Sequence, residues 1–171
     1  MDLKHYPRRV SLDQHGAFTL DRTREYDQTL RYDKPDGLWV SVAGPDDWRH
    51  WTQAEEFRSD ETSLSNEHDV VLADRANLLH LDSADAVRGL TADFGMDPRD
   101  AFSSSVHRID WPLIATQWDG IVITPYQWSC RNDWLTFWYY GWDCASGCIW
   151  NLDAIDSVTP APLPALTAGP R

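Results

Sequence analysis

Hydrophobic and polar residues alternate along several short runs of the chain, and these runs predict β-strands. In residues 38–42 the aliphatic side chains are separated by Trp39 and Ser41, which indicates a strand with one buried face and one available face. The runs His68–Ala73 and Asn77–Asp82 are separated by a short turn, which favours two antiparallel neighbours. The remaining predicted strands are Leu3–Tyr6, Gly120–Ile123, Phe137–Tyr140 and Cys148–Trp150.

Capping residues and helical spacing predict the helices. Residues 44–47 (GPDD) open a helix that runs to about Phe57, because proline is tolerated in the first turn and acids are favoured beside the positive end of the helix dipole. Ser83 caps a second helix that ends at Gly95, and a third begins at Asp110. These elements indicate an α+β fold with mostly antiparallel strands in a split, two-sheet core and two or three short helices.

The length and the C-terminal composition define the predicted domain. A chain of 171 residues can bury a substantial core as one domain, which we place at residues 1–157. Residues 158–171 combine proline with alanine and other small residues, so we expect a disordered tail there.

The charge balance restricts the classes of partner. The chain has 27 acidic and 15 basic residues, a formal net charge of −12, so bulk binding of nucleic acid is not expected. An acidic surface suits a basic protein partner instead. The sequence contains neither an apolar run of membrane-spanning length nor the apolar segment of a signal peptide, which predicts no membrane association and a cytoplasmic location.

Aromatic residues and cysteines are concentrated in residues 118–152. This stretch holds six of the ten tryptophans and all three cysteines. Aromatic side chains at this density fill a core or form the walls of a pocket for a flat ligand, and one segment can do both.

The cysteines do not predict a metal site. Cys144 and Cys148 are four positions apart, Cys130 lies upstream, and His107 is the one evident fourth ligand, whereas structural zinc sites use two close pairs. A nucleophilic Cys144 is an alternative, but no histidine is paired with it in the sequence. Small cysteines that pack against aromatic side chains are the commoner finding.

The order of these motifs resembles the ADP-ribosyltransferase fold. The resemblance rests on His5-Tyr6 at the end of an early strand, on residues 37–41 (GLWVS) followed by a Trp-rich helix, and on a late strand after residues 118–120 (WDG). The segments KPDGLWVSV, WDGIVI and YGWDCASGCIWN also look like small phage and bacterial proteins near that fold. The resemblance spans most of residues 3–152 and implies a protein of a bacterial cell or a phage-infected host.

In that family three strand-borne motifs surround NAD, and the resemblance assigns roles to residues of this chain. His5 would bind the ribose hydroxyls, Ser41 would be the polar residue of the second strand, and Trp39 would lie beside the nicotinamide ring. Arg8 or Arg9 would meet the pyrophosphate. Tyr6 and Trp48 would complete the binding site.

The third motif of the family, a glutamate on a late strand, is missing. The five glutamates are Glu25, Glu55, Glu56, Glu61 and Glu67. Because ADP-ribosyl transfer develops positive charge on the ribose, a carboxylate is needed to stabilise the transition state. Asp143 is the preferred substitute, since it lies among aromatic residues, and Asp119 is the other candidate, although Asp-Gly pairs usually shape turns.

The resemblance therefore implies an NAD-dependent ADP-ribosyltransferase or NAD glycohydrolase, with NAD as substrate and with a protein target as one acceptor. The missing glutamate and the charge of −12 leave two alternatives open. One is a non-enzymatic acidic interaction protein, such as a phage-encoded inhibitor of a host protein. The other is a nucleotide-binding protein that retains the fold without catalysis.

Overall fold

The computed structural model describes residues 1–8, 11–29, 34–55, 64–96 and 108–162. The strands are β1 (Leu3–His5), β2 (Leu38–Val42), β3 (His68–Leu72), β4 (Leu78–Leu81), β5 (Gly95–Met96), β6 (Arg108–Ile109), β7 (Gly120–Ile123), β8 (Ser146–Ile149) and β9 (Ile155–Pro160). The helices are α1 (Trp48–Ala54), α2 (Ala84–Phe94), α3 (Trp111–Ala115) and α4 (Trp128–Arg131). Short 3₁₀ helices cover Leu64–Asn66, Phe137–Gly141 and Leu152–Ala154.

Seven of the strands form one sheet in the order β4-β7-β8-β2-β1-β3-β9, and β5 pairs with β6 in a separate ribbon. Every neighbouring pair is antiparallel except β4 and β7, which are parallel. The α+β fold with mostly antiparallel strands is thus confirmed. The described residues contain four α-helices, whereas the sequence predicted two or three.

The predicted capping residues fix the helix starts. The Ser83 hydroxyl accepts a hydrogen bond from the Ala86 amide at 3.3 Å, and the carboxylate of Asp110 accepts one from Leu113 at 2.9 Å. Asp47 caps α1 in the same way, and its backbone is extended. Each cap satisfies an amide that the first helical turn leaves without an intrahelical partner. Gly95 ends α2, as the sequence predicted.

The core lies where the middle of the sheet meets the helices. Strands β7 and β8 are buried along their whole length, which is typical of strands covered on both faces. Trp111, Trp138 and Trp142 are completely buried. The Trp138 indole N–H donates to the Thr91 hydroxyl of α2 at 2.8 Å, so this polar group is satisfied inside the core.

The predicted pairing of the strands at His68–Ala73 and Asn77–Asp82 is wrong. Strands β3 and β4 are not neighbours: β3 lies between β1 and β9, and β4 pairs with β7 at the opposite edge of the sheet. The chain between β4 and β7 contains α2 and α3, and a parallel pair needs such a long crossover connection.

The predicted strand Phe137–Tyr140 is also wrong, because it is a 3₁₀ helix. Phe137 and Tyr140 are exposed while Trp138 and Tyr139 are buried, and two inward residues in a row do not fit the alternation of a strand.

The predicted boundaries change at two places. Strand β9 continues to Pro160, so the first residues of the predicted tail belong to the sheet, and the tail beyond residue 162 lies outside the described residues. Helix α1 ends at Ala54, and Phe57 also lies outside them. Across the described ranges, no helix has the length and apolar character needed to traverse a bilayer.

Candidate functional site

A cleft opens where the adjacent strands β1, β2 and β8 meet the start of α1. Its lining residues are His5, Tyr6, Lys34, Trp39, Val40, Ser41, Trp48, Asp143, Cys144 and Ser146. Strand pairing explains how distant segments meet here, because Ser41 lies opposite Ser146 and Trp39 lies opposite Cys148. The alternation of β2 places Trp39 and Ser41 on the same face of the sheet.

His5 ends β1 and is held in one orientation. Its Nδ1 lies 2.8 Å from the backbone carbonyl oxygen of Trp39. Since a carbonyl only accepts, Nδ1 carries the proton and donates, which leaves Nε2 as an acceptor. Burial lowers the pKa of His5 to about 4, although the hydrogen bond to Trp39 acts in the opposite direction. The ring is therefore neutral at physiological pH.

Ser41 couples the sheet to helix α1. Its hydroxyl oxygen accepts a hydrogen bond from the Trp48 amide at 2.8 Å, which fixes the start of the helix against β2. The Trp48 ring stacks on Trp51 with 4.9 Å between ring centroids. The Ser41 hydroxyl thus helps to fix the position of Trp48, which lines the cleft.

Asp143 precedes β8 and lies between two cations. Lys34 Nζ is 3.8 Å from its Oδ2, and Arg131 Nη2 is 3.8 Å from its Oδ1. Burial raises the pKa of Asp143, and the two cations partly offset this effect. The carboxylate is partly removed from water and oriented from both sides, which suits a group that acts on a neighbouring positive charge.

Lys34 is a cleft residue that the sequence did not predict. Its Nζ lies 5.1 Å from the ring centroid of Trp39, within the range of a cation–π interaction. Lys34 lies in the segment KPDGLWVSV, which contributed to the resemblance, but no role was assigned to its side chain. The available signal was a positive charge close in sequence to Trp39.

The other wall is stabilised by a polar network. The Tyr6 hydroxyl donates to Glu67 Oε2 at 2.8 Å, and Arg49 of α1 donates to the same oxygen at 2.6 Å. Burial and the contact with Glu67 raise the pKa of Tyr6, so the phenol stays protonated and remains a donor.

Cys144 lines the cleft but is not an activated nucleophile. Burial raises the pKa of its thiol to about 12, and the neighbouring serine hydroxyls only partly counteract this. The thiol is therefore protonated at neutral pH, whereas nucleophilic cysteines are thiolates. The side chains of Cys130, Cys144 and Cys148 are buried and free of disulfides.

Two predicted site residues lie elsewhere. Asp119 immediately precedes β7, at the end opposite Ile123, the residue that pairs with Ser146. Its carboxylate accepts hydrogen bonds from the Asn77 amide at 2.9 Å and from the Asn151 side chain at 2.7 Å, so it holds together three segments at the far end of the sheet.

Arg8 is exposed and is not one of the ten residues that line the cleft. Within the described ranges no cluster of three or more His, Cys, Asp or Glu residues is arranged to hold a metal ion. Arg9 and His107 lie outside those ranges.

Comparisons with known proteins give no family assignment. No protein-family model matches the chain, and neither the curated proteins nor the solved structures yield a significant match. The resemblance to ADP-ribosyltransferases consequently rests on the residues themselves and stays a prediction.

Proposed function

We propose that the cleft binds NAD and that the protein cleaves the bond between nicotinamide and ribose, as an ADP-ribosyltransferase or an NAD glycohydrolase. The observation that carries the proposal is the convergence of three separate segments. His5 with Tyr6, residues 39–48 and Asp143 all contribute to the lining of one cleft. The resemblance assigned roles to His5, Trp39 and Ser41, and Asp143 was chosen as the substitute for the missing glutamate because it lies among aromatic residues.

The cleft offers a suitable partner for each part of the nicotinamide riboside. The neutral His5 presents Nε2 as an acceptor, and a ribose hydroxyl can donate to it. The Ser41 hydroxyl lies on the neighbouring strand, and its side chain shares a face with Trp39. The indole of Trp39 attracts a cationic ring, and nicotinamide is cationic while it is bonded to ribose.

Asp143 supplies the charge that the reaction requires. As the glycosidic bond breaks, its electron pair leaves with the nicotinamide nitrogen, which becomes neutral, and positive charge develops on the ribose. A carboxylate close to the ribose stabilises this oxocarbenium-like state. Water or a nucleophilic group of a protein target then bonds to the ribose carbon and releases its proton to solvent. Aspartate is one methylene shorter than the glutamate of the family, so the ribose must lie closer to the backbone before β8.

A second candidate is favoured by the net charge of −12. An acidic interaction protein would bind a basic partner through its surface, and this binding would weaken steeply with salt. Such a protein would not respond to NAD, whereas the proposed enzyme binds NAD at moderate salt.

The direct test is release of nicotinamide from NAD by the wild type and by Asp143→Asn. We expect the substitution to lower the rate by about 10²-fold or more, the effect of removing one electrostatic transition-state contact. Asp85→Asn removes a surface carboxylate with a 99% exposed side chain and should retain the wild-type rate. Asp119→Asn tests the other predicted carboxylate, so that the effects of the two aspartates on the rate can be compared. Full activity of Asp143→Asn, or the absence of nicotinamide release by the wild type, would overturn the proposal.

A further inference from the structure

Lys34 already contacts two groups that the proposed function assigns to the substrate, Trp39 beside the nicotinamide ring and Asp143 beside the ribose. Its ammonium lies 5.1 Å from the Trp39 ring centroid and 3.8 Å from Asp143 Oδ2. Among the ten residues that line the cleft, Lys34 is the one lysine or arginine. A cationic ring that enters must therefore compete with the Lys34 ammonium for the indole face of Trp39.

We propose that Lys34 selects the ligand: it excludes cationic rings that lack phosphate and admits those that carry it. This inference rests on the proposed function and adds to it a criterion for the substrate. A phosphate group gives the displaced ammonium a new anionic partner, because lysine binds phosphate as a flexible point charge. A ligand without phosphate gives the displaced ammonium only water in exchange for its contacts with Trp39 and Asp143.

The surroundings of Lys34 permit this exchange. Its side chain is 40% exposed, so the ammonium can move toward solvent without disturbing the core. Asp143 keeps a cationic partner when Lys34 moves away, because Arg131 contacts its other carboxylate oxygen at 3.8 Å. Arg131 is in turn positioned by the ring of Tyr140, 5.5 Å from its guanidinium carbon. The carboxylate therefore stays oriented while its second partner changes from lysine to substrate.

The proposal predicts that Lys34→Met strengthens the binding of one ligand and weakens the binding of another. Methionine retains an unbranched apolar stem of similar size and removes the charge. N1-methylnicotinamide, a cationic ring without phosphate, should bind the variant about fivefold more tightly, since the competing cation–π contact is gone. NAD should bind the variant about tenfold more weakly, since a charge-assisted contact to phosphate is lost.

The experiment is a calorimetric titration of each ligand into the wild type, Lys34→Met and the control Arg75→Met, which removes a 73% exposed cation away from the cleft. Opposite shifts in Lys34→Met, with neither shift in Arg75→Met, support the proposal. Unchanged or weaker binding of N1-methylnicotinamide overturns it, and so does NAD binding at or above wild-type affinity. Failure of the wild type to bind NAD overturns the proposed function, whereas the N1-methylnicotinamide titration still decides whether Lys34 competes at Trp39.

Discussion

Gly147 lies in the middle of β8, the strand that joins the cleft to the core. A β-carbon at this position would lie 2.7 Å from the Ile121 carbonyl oxygen, 2.8 Å from Val122 Cγ2 and 3.3 Å from Val40 Cγ2. Backbone atoms cannot rotate away as a flexible side chain does, so strand β8 would have to move away from β7. The substitution Gly147→Ala therefore strains the sheet that places Ser146 opposite Ser41.

The expected cost follows from the tightness of these contacts. Overpacking a close-packed core by small groups costs about 1–3 kcal/mol, and two contacts below 3.0 Å place this case near the upper value, about 3 kcal/mol. Gly89→Ala is the matched control, because a β-carbon there has no neighbouring atom within 4 Å and the residue lies inside α2. In a helix interior, alanine is more stable than glycine by about 0.5–1 kcal/mol.

The assay is urea unfolding monitored by tryptophan fluorescence. With a denaturant dependence of about 2 kcal/mol per molar urea, Gly147→Ala should lower the midpoint by roughly 1.5 M, and Gly89→Ala should raise it slightly. A wild-type midpoint for Gly147→Ala would refute the close packing of β7, β8 and β2 described above.

Two further expectations concern the core and the cleft. Thr91→Val should cost about 1–3 kcal/mol in urea unfolding, because it leaves the buried Trp138 N–H without its acceptor; a neutral result would contradict that hydrogen bond. The pKa of His5 is about 4 in the folded protein and 6.5 in the unfolded chain. Between pH 4 and pH 6.5 the unfolded chain therefore binds more protons than the folded protein. Stability from this group is thus complete above pH 6.5 and falls by up to about 3 kcal/mol as the pH decreases to 4. The loss should be smaller in His5→Asn, which retains a donor near Nδ1; equal pH profiles would contradict the neutral, buried ring.

Local features of the fold could be predicted from the sequence because local chemistry determines them. The alternation in β2 correctly placed Trp39 and Ser41 on one face, and Ser83 and Asp110 were recognisable as caps from their position before apolar helical residues. Strand partners were harder to predict. The short turn between β3 and β4 suggested a hairpin, but pairing depends on which distant strands cover each apolar face, and this is a tertiary property.

The candidate site, like the fold, could be predicted only in part from the sequence. The residues selected by resemblance lie on short motifs, and six of the eight line the cleft. Asp119 was predicted to belong to the site and does not line the cleft, whereas Lys34 was not predicted and does line it. An Asp-Gly pair looks the same in the sequence whether it shapes a turn or faces a ligand, and a lysine in a turn gives no sign that it lies over Trp39. Their roles depend on strand ends that meet only in the folded protein.

The most direct test of the proposed function is a crystal structure of Asp143→Asn grown with NAD, because the substitution should slow cleavage and preserve the substrate. We expect the nicotinamide ring on the indole of Trp39, a ribose hydroxyl within hydrogen-bonding distance of His5 Nε2, and the substituted amide side chain beside the ribose. A dinucleotide bound at another surface, or crystals that bind no NAD under saturating conditions, would contradict the assignment of this cleft as the NAD site.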